Sequence, residues 1–142
     1  MKVNLKSNGK ELGYVGTNIR GQQIELYGNK EGVGPMESVL MAAAACSAID
    51  IELILKKMKQ DYTEIEVEVE AERATDETPA VFKKIHLHYI VSGDVKKEKL
   101  DRAVELSVKS YCSVLKMLEK SVDIIFTASI KNWGMNFETI AI

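Results

Sequence analysis

Very little in this chain of 142 residues marks a specialised class. It has two cysteines, two prolines and one tryptophan, and aromatic residues make up 6% of it. Two cysteines are too few for a secreted scaffold held by disulfides, although they could form one bridge. Arginine is scarce, with Arg20, Arg73 and Arg102 alone among 19 basic residues. Against 21 acidic residues and a net charge of −2, no basic excess is left to release counterions from phosphates, so no nucleic-acid partner is expected. The first residues, MKVNLKSNGK, contain no apolar signal-peptide core. The longest nearly uncharged run, Ser38 to Ile49, ends at Asp50 and Glu52. Crossing a membrane takes roughly 20 apolar residues, so this run is expected inside a water-soluble protein, in a reducing cytoplasmic compartment.

What is present is a well-patterned chain. It is 46% hydrophobic and 28% charged, enough apolar content for one packed domain over 1–142 and too much for a disordered chain. Val3 and Leu5 alternate with polar residues, as does Gln23–Tyr27, with turns at Asn8-Gly9 and Arg20-Gly21. Gly28 to Pro35 reads as a loop. A long helix is expected from Met36 to about Lys59, with Pro35 at its start and Glu37 in its first turn, where an anion complements the dipole. From Val39 to Ala48 it is apolar nearly all round, which demands cover on several sides. One sheet covers one side, so a second copy of the chain is the natural supplier of the other.

Tyr62 to Ala71 alternates without a break, Ile65, Val67 and Val69 facing one way and four glutamates the other. Phe82 to Val91 reads as the next strand. Lys96 to Lys120 reads as a second long helix, with Leu100, Val104, Val108, Tyr111, Leu115 and Leu118 at helical spacing. Val122 to Ile130 reads as a last strand, and the tail beyond Lys131, with Trp133, has no pattern. The expected class is α+β.

Chemistry centres on Cys46 in the first helix and Cys112 in the second. Buried cysteines are commonly inert, so two plain core thiols are one reading. The segment Gly34-Pro35-Met36-Glu37-Ser38-Val39-Leu40-Met41-Ala42-Ala43-Ala44-Ala45-Cys46 supports a sharper one. With a second cysteine 66 positions later, it resembles the signature of the OsmC/Ohr family, the osmotically inducible and organic hydroperoxide resistance proteins. The order of elements agrees to about Ile130. Ser47–Ile51 and Ile85–Tyr89 are most similar to the YhfA-type branch of that family. The resemblance implies antiparallel sheets wrapped around two long central helices in an intertwined homodimer whose sites draw on both subunits. It implies a peroxidase that needs no cofactor, in oxidative-stress defence. Cys46 would attack the O–O bond of an organic hydroperoxide, Cys112 would resolve the product, and an external dithiol of lipoyl or thioredoxin type would restore both.

The residue types suit that cycle, since a second thiol traps a sulfenic acid before it is oxidised irreversibly. Activation needs a cation. Cys46 lies about ten residues into its helix, beyond the reach of the dipole, and Asp50, one turn later, would raise the thiol pKa. In the peroxidase branch an arginine of the N-terminal strands does this, which puts Arg20 at that position, with Arg73 as the rival. Glu37 would position the arginine, or else only complement the helix dipole; Met36 separates it from Pro35, unlike the peroxidase pattern. Val39, Leu40, Met41 and Ile49 would give an apolar substrate its pocket. His86 and His88 share one strand face, but no further metal ligand lies near them in sequence, and no metal site is expected. The alternative function is a non-catalytic relative binding an apolar or electrophilic small molecule at the dimer interface.

Overall fold

The turns expected at Asn8-Gly9 and Arg20-Gly21 close a three-stranded meander. In the computed structural model, which describes residues 1–131 and 137–141, β1 (Val3–Ser7), β2 (Gly13–Asn18) and β3 (Gln23–Tyr27) pair antiparallel in that order. Gly21 takes φ +83°, a conformation costly for any residue with a Cβ. The Asn18 side chain fixes the same turn by accepting from the backbone N–H of Arg20 and Gln22, each at 3.0 Å. Leu5, Gly16 and Ile24 are cross-strand partners. With Val3, they give this sheet an apolar face whose side chains are exposed in the single chain.

The helix α1 runs Pro35–Lys57, and both of its ends follow from the sequence. Glu37, three residues after Gly34, accepts from the Gly34 backbone N–H at 2.9 Å, and the Gly34 carbonyl accepts the first helical bond from Ser38 N–H at 3.0 Å. That is the reciprocal half of a capping box, with Pro35 in the first helical position. At the far end Gln60 N–H reaches Leu55 O at 2.9 Å and Lys59 N–H reaches Lys56 O at 3.0 Å, while Lys59 sits at φ +57°. This is a Schellman stop with lysine where glycine is preferred. By length and composition alone α1 could cross a membrane. Asp50 and Glu52 interrupt it, however, and the hydrogen bonds given below tie it to a sheet.

The chain divides into two compact units, Met1–Met41 and Ala42–Ile142. In the second, β4 (Asp61–Arg73), β5 (Phe82–Asp94), β6 (Asp123–Lys131) and β7 (Phe137–Ala141) form a sheet in that order. β4 and β5 are an antiparallel hairpin, β5 and β6 run parallel, and β7 returns antiparallel along β6. The sheet is thus mixed, because a helical crossover joins β5 to β6. The tail lacking pattern contains β7, a strand the sequence reading misses; Trp133 lies outside the described residues. Ile85, Leu87, Tyr89 and Val91 of β5 are fully buried, with Ile51 and Leu55 of α1 and Leu100 and Val104 of the crossover. The other face is polar: Glu68 opposes His88 and Glu70 opposes His86.

The second long helix is not continuous. α2 covers Lys97–Leu106, a single π-helical turn covers Ser107–Tyr111, and α3 covers Ser113–Leu118. The Cys112 N–H bonds to Ser107 O, five residues back, at 2.8 Å. Cys112 itself is extended (φ −72°, ψ 109°), and its sulfur accepts from the Leu115 N–H at 3.5 Å, capping α3. The extra residue in the turn shifts the helical phase. Tyr111, expected on the apolar stripe, is therefore 59% exposed, while Val108 and Leu115 stay buried. π-turns of this kind concentrate at functional sites.

Candidate active site

Cys46 lies in the middle of α1 and Cys112 at the junction of the π-turn with α3, and the fold brings them together. The two side chains are near enough for the Cys46 sulfur to act electrostatically on the Cys112 thiol. Their exposures differ: Cys46 is half-buried and Cys112 is 1% exposed. Burial above all pushes the Cys112 thiol up to about 11; the Leu115 backbone N–H opposes it, the Cys46 sulfur adds to it, and the Val114 N–H opposes it least. Cys112 therefore holds its proton, and the sulfur that faces an incoming reagent is Cys46.

A buried polar network surrounds the pair, one the sequence reading does not anticipate. The Tyr89 hydroxyl, from the inner face of β5, donates to Ser47 Oγ at 2.7 Å. Ser47 Oγ in turn lies 2.8 Å from Ala43 O and 3.1 Å from Ala44 O. From the π-turn, Ser107 Oγ donates to Ser47 O at 2.9 Å and lies 3.4 Å from Asp50 Oδ2. Burial drives the Tyr89 phenol far above its usual range; its Ser47 bond opposes this, while the charges of Cys112, Asp50 and Cys46 add to it. Tyr89 thus lies within electrostatic reach of both sulfurs and the carboxylate. The signal for this network was Ser47 next to Cys46, with one tyrosine on an otherwise aliphatic strand face.

The remaining sequence candidates sit as follows. Arg73 donates from Nε to Ala80 O at 2.8 Å, which fixes it at the β4–β5 turn. Arg20 lies in the first unit and bonds Gln22 Oε1 through Nε at 3.1 Å. Glu37 caps α1. Met41 and Ile49 are 54% and 57% exposed, and Leu53, one turn further, is 58% exposed. With Ala45, also exposed, they form a stripe at four-residue spacing opposite the buried one of Ala43, Ser47, Ile51 and Leu55. Val39 and Leu40 are half-buried. His86 Nε2 and His88 Nδ1 both meet Thr127 Oγ1, at 3.0 and 2.6 Å, and His88 Nε2 meets Ser129 Oγ at 3.1 Å. Among the described residues no three His, Cys, Asp or Glu side chains are grouped to hold a metal ion.

Comparison with known proteins gives this arrangement a context. The family model described as OsmC-like protein matches residues 28–127. Protein YhfA of Escherichia coli K12 is 47% identical over 116 residues, which cover 80% of this chain and 86% of YhfA. The crystal structure of a hypothetical protein from Aquifex aeolicus VF5 superposes with a TM-score of 0.84 at 29% identity, covering 93% of this chain and 96% of that one. The organic hydroperoxide resistance protein OhrB of Bacillus subtilis shares the fold, with a TM-score of 0.62 at 19% identity over 92% of this chain and 98% of its own.

Proposed function

The chain belongs to the OsmC-like protein family, and on that premise we propose that it is a thiol-dependent peroxidase for organic hydroperoxides. Cys46 is the peroxidatic residue. Its thiolate attacks the terminal oxygen of R–O–O–H, the O–O bond breaks, and sulfenic acid forms as the alkoxide leaves and is protonated. Cys112 is the resolving residue: its thiol condenses with the sulfenic acid, forming a disulfide and releasing water. An external dithiol reduces the disulfide and is itself oxidised to one, as a reducing cytoplasmic compartment allows. The observation that supports this reading is the proximity of a half-buried thiol, Cys46, to a wholly buried one, Cys112. Attack, protection of the intermediate and resolution need that division of exposure.

Two copies of the chain complete the site in this reading. The exposed apolar stripe of α1 and the apolar face of the N-terminal sheet are the surfaces to be covered. Arg20 is the activating cation and Glu37 its positioning partner in that assembly. Val39, Leu40, Met41 and Ile49 supply apolar contacts that favour an organic peroxide over hydrogen peroxide. Asp50 beside the thiol favours a second reading, a non-catalytic binder of an apolar or electrophilic molecule, because a carboxylate disfavours thiolate. Turnover separates the two. With dithiothreitol as reductant the protein consumes cumene hydroperoxide faster than hydrogen peroxide, and Cys46→Ser abolishes consumption. No consumption by the wild type, with ligand binding that survives Cys46→Ser, selects the binder.

A further inference from the structure

Asp50 sits oddly in a thiol site, and its setting points to a use. It follows Cys46 by four residues on α1, so the two side chains share one helix face with Cβ atoms about 5–6 Å apart. It is half-buried, and it forms no ion pair among the described residues. Its only hydrogen-bond partner among them is Ser107, at 3.4 Å, and the Ser107 hydroxyl is better engaged with Ser47 O at 2.9 Å. A carboxylate held so loosely beside a thiol can take up and release a proton without breaking a strong bond.

The first step of the proposed reaction has such a proton to move. The Cys46 thiol must lose one, and the alkoxide cut from the peroxide, a far stronger base than a thiolate, must gain one. Tyr89 cannot supply it, because its hydroxyl is fully buried and committed to Ser47. The Cys112 proton is needed for the second step, where it leaves in the water released on disulfide formation. Asp50 is the one carboxyl group of the cluster, and it is partly open to solvent.

We propose that Asp50 is the proton carrier of the site: it accepts the Cys46 thiol proton, directly or through one water, and delivers it to the departing alkoxide. Sulfur is oxidised to sulfenic acid, the peroxide is reduced to an alcohol and a hydroxyl on sulfur, and Asp50 ends the step as it began. This rests on the peroxidase reading above.

The test sets two reactions of the same sulfur against each other in Asp50→Asn. Alkylation by iodoacetamide expels iodide, which needs no proton, and loss of a nearby negative charge favours thiolate. Alkylation of Cys46 should hold or rise. Oxidation of Cys46 by cumene hydroperoxide, followed by loss of free thiol in a single turnover, should fall by about 10²-fold, the usual worth of a positioned acid–base group. Asp50→Glu should recover most of that loss. If the two rates rise together or both stay unchanged, Asp50 is only a neighbouring charge and the proposal is overturned. A joint fall, not repaired in Asp50→Glu, assigns it a structural part and overturns it equally. Wild-type protein that alkylates normally yet ignores the hydroperoxide defeats the peroxidase reading itself, and the proposal with it.

Discussion

Cys112 offers the sharpest quantitative prediction, because burial dominates its thiol. It is 1% exposed, and burial, aided by the Cys46 sulfur and opposed by the Leu115 N–H, pushes it up from 9.0 to about 11. A difference of that size corresponds to about 100-fold less thiolate at neutral pH than an ordinary cysteine carries. Since the thiolate is the nucleophile, Cys112 in the folded protein should alkylate at least about 100-fold more slowly than a free thiol at pH 7, with burial slowing it further. Timed iodoacetamide labelling, read by peptide mass, should show Cys46 modified first and Cys112 long after. In Cys46→Ser the contributions of the neighbouring sulfur vanish while burial remains, so Cys112 should quicken only in part. Stability follows the same linkage. Folding strengthens proton binding at Cys112, so its contribution is complete below about pH 9 and is lost as pH rises through about 11. Cys112→Ser, which keeps a cap on α3, should flatten that part of the alkaline decline. Cys112 labelling as fast as Cys46 in the folded protein would refute the argument.

Three substitutions probe the supporting structure. Tyr89→Phe removes a donor from a fully buried serine, and chemical denaturation should show a loss of about 1–2 kcal/mol. Unchanged stability would mean that the Tyr89–Ser47 bond contributes nothing. Glu37→Ala removes the carboxylate from the first turn of α1 and should cost about 0.3–1 kcal/mol by the same measurement; no loss would contradict the capping role. Lys59→Gly places glycine at a left-handed position and should raise stability by about 1 kcal/mol, whereas a fall would show that the lysine side chain has its own role there.

The sequence was most legible where periodicity spoke. The unbroken alternation of β4, the strand over Phe82–Val91, the Pro35 start of α1 and the Asn8-Gly9 and Arg20-Gly21 turns all stand in the fold. The break at Cys112 was not legible, because Leu100, Val104, Val108 and Leu115 keep helical spacing on both sides of it. Only Tyr111 falls off the apolar stripe, and a single residue out of place does not disclose the π-turn in the pattern. β7 escaped because five residues are too few to show a period of their own; it pairs antiparallel with β6. At the site, the juxtaposition of Cys46 and Cys112 across 66 positions was expected through family resemblance, since spacing carries no distance. The network of Tyr89, Ser47, Ser107 and Asp50 assembles from three separate elements, and only the folded chain discloses such a meeting. The sequence reads α1 as too apolar for one covering sheet. Met41, Ile49 and Leu53 stand exposed where that reading wanted a second copy.

The most direct test is a peptide map of the folded, reduced protein after one equivalent of cumene hydroperoxide, digested without reductant. The account predicts a cross-linked pair of peptides bearing Cys46 and Cys112, two hydrogens lighter than the separate peptides, with no free thiol left on the reacted chain. It also predicts that Cys112→Ser stops at a sulfenic acid on Cys46. Two unmodified thiols per chain, or oxidation at Cys112 ahead of Cys46, would contradict it.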